Sequence, residues 1–110
     1  MRLDRIVTVF RLEKTKNGFV RHDVYKDIKA NFRQLSDQER VSTFENGTNS
    51  TCQFRINARK ITLDMYVEYK REVYGKTIYQ VTSVDDYNEH QPTIVVRCSE
   101  IQHALTYKEE

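Results

Sequence analysis

Apolar and polar residues alternate one by one in several short segments, and this period of two restricts the chain to a fold built from β-strands. The alternation is clearest where Ile28, Ala30 and Phe32 are interleaved with charged and amide residues, and it returns over residues 52–57 and 65–70. Successive side chains of a strand point to opposite faces, so each segment has one face for a core and one for the surface. We therefore predict half-buried strands in these three places.

Three further segments complete the predicted sheet. From Arg5 to Leu12, β-branched and aromatic residues cluster without a helical period, which is typical of a strand partly covered on both faces. Over residues 77–84, Tyr79 and Val81 share a face while Val84 is out of phase, and a β-bulge near residues 82–83 would restore the pattern. Residues 93–98 form the last strand, and Pro92 sits at its edge, where the missing N–H costs least.

The connections carry turn signals. Asn17-Gly18 predicts a hairpin tip, and the polar residues 85–90 predict a hairpin loop. Ser36 and Glu39 have the spacing of a capping box, which predicts a helical turn that ends soon, followed by an exposed loop over residues 43–51. Near the end of the chain, Ile101 and Leu105 are four residues apart, enough for one or two helical turns.

These elements predict a mainly β fold, a small antiparallel β-barrel of about six strands with a long loop and at most one short helix. A closed barrel is favoured over a sandwich because a small open sheet would expose its edge strands. The length of 110 residues fits a single domain over residues 1–110.

The composition excludes several classes of function. A mean hydropathy of −0.74 indicates a thin core that partner contacts would help to cover. The 18 basic and 16 acidic residues are interspersed and leave a net charge of only +2, which argues against a dedicated nucleic-acid-binding protein. No apolar run is long enough to cross a membrane and no secretion signal is recognisable, so we expect no membrane partner and a cytosol-like compartment.

The residue types that carry out catalysis are not arranged for it. The three histidines fall in separate segments and none has the spacing of a metal ligand. Cys52 and Cys98 occupy apolar positions of alternating strands, so we predict two reduced core thiols rather than a disulfide or a nucleophile. The acidic cluster of Asp85, Asp86 and Glu89 is better explained as a solvated loop than as a cation site. We predict no enzyme, no metal and no cofactor.

Tyrosines alternate with basic residues between residues 66 and 79, and two explanations are open. A stacking platform for single-stranded nucleic acid, on a barrel of the OB or SH3 type, would have such a pattern. Tyrosines that line the barrel or a subunit contact would also have it, and this is the stronger explanation because Tyr69 and Tyr79 fall on predicted inward faces.

The second half of the chain has a recognisable succession of strands and turns, carried by Phe54-Arg55-Ile56, residues 65–69, Gly75-Lys76, residues 78–86 and residues 94–98. This succession resembles that of the head–tail joining proteins of long-tailed bacteriophages, also called head-closure or stopper proteins. The N-terminal half agrees more loosely through a first strand, a hairpin containing Gly and residues 28–36. The chain departs from the family in the longer spacing before Gly75 and in lacking the Trp often found in the second strand.

The resemblance implies a structural virion protein without catalytic function, which assembles as a ring of about 6 or 12 subunits on the portal or its adaptor. Such a ring closes the DNA-filled head and docks the tail, close to packaged double-stranded DNA but without sequence recognition. The protein would act in the virion after assembly in the host cytoplasm. An adaptor or tail-completion protein of the same junction is the alternative.

The resemblance also assigns two sets of residues. The loop over residues 37–50 would point into the channel, with Gln38, Arg40, Thr43, Glu45, Asn46, Gly47 and Asn49 as its channel residues. Contacts with neighbouring subunits or partners are expected at Tyr66, Glu68, Lys70 and Tyr74.

Overall fold

Strands dominate the protein in the computed structural model, which describes residues 3–45, 50–71, 75–85, 92–101 and 107–109. The elements are β1 (Arg5–Thr15), β2 (Gly18–Gln34), α1 (Asp37–Glu45), β3 (Cys52–Asn57), β4 (Met65–Arg71), β5 (Gly75–Asp85), β6 (Thr93–Glu100) and β7 (Lys108–Glu109).

The first six strands close into a barrel. They pair in the order β1-β4-β5-β6-β3-β2, and β2 pairs again with β1 to complete the circle. Each of these pairs is antiparallel, whereas β7 adds to β2 in parallel beside Val20 and Arg21. The predicted six-stranded antiparallel barrel is confirmed. Each of its six strands pairs with a neighbour on both sides, so most strand edges are hydrogen-bonded within the barrel.

The barrel interior holds the residues that the alternation assigned to it. Phe54 is 1% exposed, and its ring centroid lies 5.2–5.7 Å from those of Phe32, Tyr69 and Tyr79. Edge-on and tilted ring contacts of this kind stabilise a core beyond the area they bury. The inward positions of Tyr69 and Tyr79 are therefore confirmed, and these two rings are not available as a surface platform for bases.

The two cysteines face each other across β3 and β6. Cys52 is paired with Cys98 in the register of these strands, and both are buried thiols that form no disulfide, as predicted. Burial raises the pKa of the Cys98 thiol well above its ordinary value, and the neighbouring Cys52 raises it further. Because the thiolate is the reactive form, Cys98 is poorly suited to nucleophilic chemistry.

The predicted bulge is present in β5. The register with β6 passes from Val81 opposite Cys98 to Ser83 opposite Arg97, so Thr82 is the extra residue. The Thr82 hydroxyl donates to the Arg97 carbonyl at 3.0 Å and lies 2.6 Å from the Ser50 hydroxyl. The bulge turns Val84 back towards the core, against which it packs.

The connections differ from prediction in two ways. The hairpin between β1 and β2 is confirmed, but Lys16 and Asn17 form the turn and Gly18 follows it with a φ of 115°. Helix α1 runs for nine residues rather than one turn, so Thr43 and Glu45 lie in the helix and not in an open loop. The helix continues because its N-terminus is capped and no Gly or Pro interrupts it before Asn46-Gly47. The predicted loop over residues 86–90 and helical turns over 102–106 lie outside the described residues.

Candidate assembly and channel surfaces

The segment assigned to the channel begins with a capped helix at one end of the barrel. The Ser36 hydroxyl accepts a hydrogen bond from the Glu39 amide at 3.2 Å, and the Ser36 amide donates to Glu39 Oε1 at 3.1 Å. This is the predicted capping box, which satisfies two backbone donors that a helix start otherwise leaves without a partner. Asp37 adds a second acidic side chain to the first turn, where the helix dipole favours negative charge.

Glu39 also fastens α1 to the barrel. Both Nη atoms of Arg33, at the end of β2, donate to its carboxylate at 2.8 and 2.9 Å. The hydrogen bonds from Arg33 and from the Ser36 amide lower the pKa of Glu39 to about 2. The helix thus starts from a fixed point on β2, while Val41 on its next turn is 57% exposed.

The depressed pKa of Glu39 predicts a dependence of α1 on pH. The unfolded chain has the ordinary carboxyl pKa of about 4.3, so the Glu39 contacts stabilise the fold fully above that pH and lose their effect as the pH falls towards 2. We expect the Glu39 carboxyl carbon to titrate near pH 2 by NMR. In the Arg33→Gln variant, its midpoint should rise towards 4. An unchanged midpoint would show that Arg33 does not hold Glu39.

The channel residues of the sequence prediction are only partly described. Gln38 and Arg40 are exposed on the first turns of α1, and Thr43 and Glu45 belong to its second half. Asn46, Gly47 and Asn49 lie outside the described residues. Arg40 also lines a cavity of about 190 Å³ at this end of the barrel, together with Leu35, Thr51 and Glu100. The assignment of these residues to a channel stays a prediction.

The outer face of β2, β1 and β4 carries a buried charge pair between Arg21 of β2 and Glu68 of β4. Arg21 and Glu68 are each 6% exposed, and Arg21 Nη1 donates to Glu68 Oε2 at 2.6 Å. Arg21 Nε donates to Asp23 at 2.7 Å, and its Nη1 also donates to the Tyr107 hydroxyl at 3.0 Å. Burial lowers the pKa of Arg21, but these hydrogen bonds outweigh it and leave the pKa raised, so the guanidinium stays charged.

Aromatic rings enclose this pair. The Arg21 guanidinium lies 4.0 Å from the centroid of the Phe10 ring, and Phe10 stacks on Tyr66 with centroids 5.4 Å apart. The Tyr107 ring also packs against Phe10, tilted, with centroids 5.9 Å apart. Phe10 is fully buried although it faces away from the barrel interior, which confirms that β1 is covered on both faces.

A polar cleft of about 620 Å³ opens beside the Arg21–Glu68 pair. It is lined by Thr8, Arg21, Asp23, Lys26, Asp27, Glu68, Lys70 and Lys76. Lys70 and Lys76 are directly opposite each other on β4 and β5, an arrangement of like charges that costs stability. The cleft therefore combines lysine ammonium groups with the paired charges of Arg21 and Glu68. This arrangement is suited to polar contacts with another protein surface.

The predicted contact residues gather partly around this cleft. Lys70 is exposed and lines it, and Tyr66 is half-buried beside it against Phe10. Glu68 differs from the alternation, which predicts an exposed side chain, because Arg21 covers and pairs with it. Tyr74 lies outside the described residues, and the contact roles of all four stay predictions.

Sequence reasoning missed Arg21 and Tyr107. Arg21 lies 47 residues from Glu68, and no local pattern joins the two. Its only sequence signal is the neighbouring Asp23, two positions along the same strand face. Among the described residues, no group of three His, Cys, Asp or Glu side chains is placed to hold a metal ion.

Comparison with protein families identifies the chain. Residues 1–101, nearly the whole barrel and its connections, match the model of the phage head completion protein family. The chain belongs to the phage head completion family. This head completion protein therefore has a structural role in the phage head, is part of the virion and associates with other head or tail proteins.

One solved structure supports the barrel. This head completion protein is similar to protein SF1141 from Shigella flexneri 2a, with a TM-score of 0.70 and 16% identity over 94% of this chain and 96% of that one. At this identity, the likeness concerns the fold alone. No curated protein matches the chain. Within the described residues, no helix has both the length and the apolar character needed to cross a membrane.

Proposed function

We propose that this head completion protein assembles as a ring at the head–tail junction, where it closes the filled head and offers the docking surface for the tail. The observation that carries the proposal is the family match over residues 1–101. The barrel geometry supports it, because a ring requires two different faces on each subunit and the outer surface of this barrel is not uniform.

One of these faces is the cleft beside β4. Because the barrel uses most of its backbone donors and acceptors internally, neighbouring subunits would meet through side chains. Lys70 lines this cleft, and Tyr66 lies two residues before Glu68 on β4, whose buried carboxylate is paired with Arg21.

The channel surface is α1 and the residues that follow it. The Arg33–Glu39 pair fixes the start of the helix, while its exposed side chains extend away from the barrel end. An exposed helix at the end of a barrel can reach the axis of a ring and change position when the tail binds. In this proposal, the copies of α1 around the ring obstruct the exit of DNA.

The proposal is tested on DNA-filled heads prepared without this protein. Adding the full chain should protect the packaged DNA from leakage, measured by its sensitivity to nuclease, and should allow purified tails to attach. A variant with residues 38–49 replaced by a short Gly-Ser linker should support tail attachment but leave the DNA exposed. Lys14→Gln at the distant hairpin serves as the matched control and should behave as the unchanged chain.

Two results would contradict the proposal. Heads that retain DNA with the shortened variant would exclude a role for α1 in closure. Heads that bind tails equally well without any added protein would exclude the docking role.

A further inference from the structure

A cluster of arginines lies on the outer face of β2, β3 and β6, away from the cleft. The strand register places Arg33 opposite Gln53, and Gln53 opposite Arg97. Arg55 is two residues further along β3, so it is a diagonal neighbour of Arg97 at about 7–8 Å between Cα atoms. The inward side of the same strands holds core residues, which directs these three side chains outward.

The charges of this cluster are unevenly compensated. Arg33 is neutralised by Glu39 of α1. Among the described residues, no carboxylate pairs with Arg55 or Arg97, and the Nε atoms of both are buried without a hydrogen-bond partner. In the part of the chain that the structure describes, Arg55 donates through Nη1 to the Thr93 hydroxyl at 3.3 Å. Two neighbouring cations without a carboxylate partner cost stability, and an anion at the outer nitrogens of their guanidinium groups would offset that cost.

The surroundings favour phosphate over carboxylate as that anion. The neighbours of the two arginines include neutral hydrogen-bonding side chains. Gln53 and Ser83 are opposite Arg97 in the register, and the Thr93 hydroxyl accepts a hydrogen bond from Arg55. Arginine together with Ser, Thr, Asn and Gln is the set of side chains through which proteins contact the DNA backbone. Asp85 is opposite Val95 in the register, and Val95 is opposite Arg55, so Val95 separates this carboxylate from Arg55.

We propose that Arg55 and Arg97 bind the phosphate backbone of double-stranded DNA. The inference rests on the proposed position of the barrel beside the exit channel, and it assigns the outer surface of β3 and β6 to the DNA side. Arg33 donates hydrogen bonds both to Gln53 on this surface and to Glu39 of α1. The surface and the helix would therefore both face the axis of the ring. The net charge of +2 conceals the face because acidic residues elsewhere balance it.

The test uses the full chain and a mixed-sequence duplex of 20 base pairs. We expect amide chemical shifts to move on β3 and β6, with weak affinity of about 10⁻⁴ M. The double variant Arg55→Gln, Arg97→Gln should reduce the slope of log K against log salt by about 1.8, since each phosphate contact contributes about 0.9. The variant Arg55→Lys, Arg97→Lys keeps the charge and should keep the slope.

The matched control is Lys70→Gln, Lys76→Gln, which removes the same charge from the cleft. An equal reduction of the slope by this control, an unchanged slope in the Gln variant of the arginines, or shifts confined to the cleft would each overturn the proposal. Tighter binding of a poly-glutamate peptide than of the duplex would overturn the assignment to DNA. This assay uses neither heads nor tails. A result that overturns DNA binding would therefore not contradict the ring proposal, which the retention of DNA in filled heads tests separately.

Discussion

Replacing Arg21 by methionine is expected to lower the free energy of unfolding by about 3–5 kcal/mol, because the variant leaves Glu68 buried without its cation. The two side chains are each 6% exposed and joined at 2.6 Å. Methionine has a similar length, so Phe10 keeps part of its cover and the loss reports mainly on the uncompensated carboxylate. Urea unfolding followed by circular dichroism measures the difference.

The companion variants separate this charge effect from packing. Arg21→Met with Glu68→Leu should recover most of the loss, since apolar replacements of a buried pair are often neutral. Arg33→Met, which breaks an exposed pair, should cost no more than about 1 kcal/mol. A loss for Arg21→Met as small as that for Arg33→Met would show that Glu68 is not buried as described.

Truncating Phe54 to alanine is expected to destabilise the barrel by about 3–5 kcal/mol through the cavity it leaves. Phe54 contacts the rings of Phe32, Tyr69 and Tyr79, which come from three other strands. In a chain of about 100 residues, each kcal/mol lowers the melting temperature by about 4–8 °C, so thermal unfolding detects the change easily.

Phe19 provides the matched control for this truncation. It lies at the hairpin of β1 and β2, is 44% exposed and should lose less than about 1 kcal/mol as alanine. If the two truncations cost the same, Phe54 would not be at the centre of the core.

The strands were predictable because their information is local. Alternation of side chains identifies the inward residues of β3, β4 and the second half of β2 without reference to any other strand. The phase error at Val84 even located the bulge around Thr82. The capping box located the start of α1, but its end at Glu45 could not be read, since Val41, Ser42 and Thr43 have no strong helix preference and suit a helix and a loop alike.

The surfaces depend on which strands become neighbours, and the local sequence does not contain this information. Arg21 meets Glu68 because β1 lies between β2 and β4 in the barrel, and Arg55 meets Arg97 because β3 pairs with β6. The net charge of the chain gives no sign of the arginine cluster either, because it sums the charges on all faces of the barrel. For function, the usable signal was the resemblance of the strand pattern to that of phage head–tail joining proteins. The match of residues 1–101 to the head completion family confirmed this resemblance.

A cryo-electron microscopy map of the head–tail junction in intact particles tests the proposed role most directly. We expect a closed ring of this barrel on the channel axis, with α1 and the outer face of β3 and β6 directed at the DNA and the Lys70 cleft between subunits. A barrel located away from the axis, or a ring in which α1 and Arg97 point outward, would contradict it.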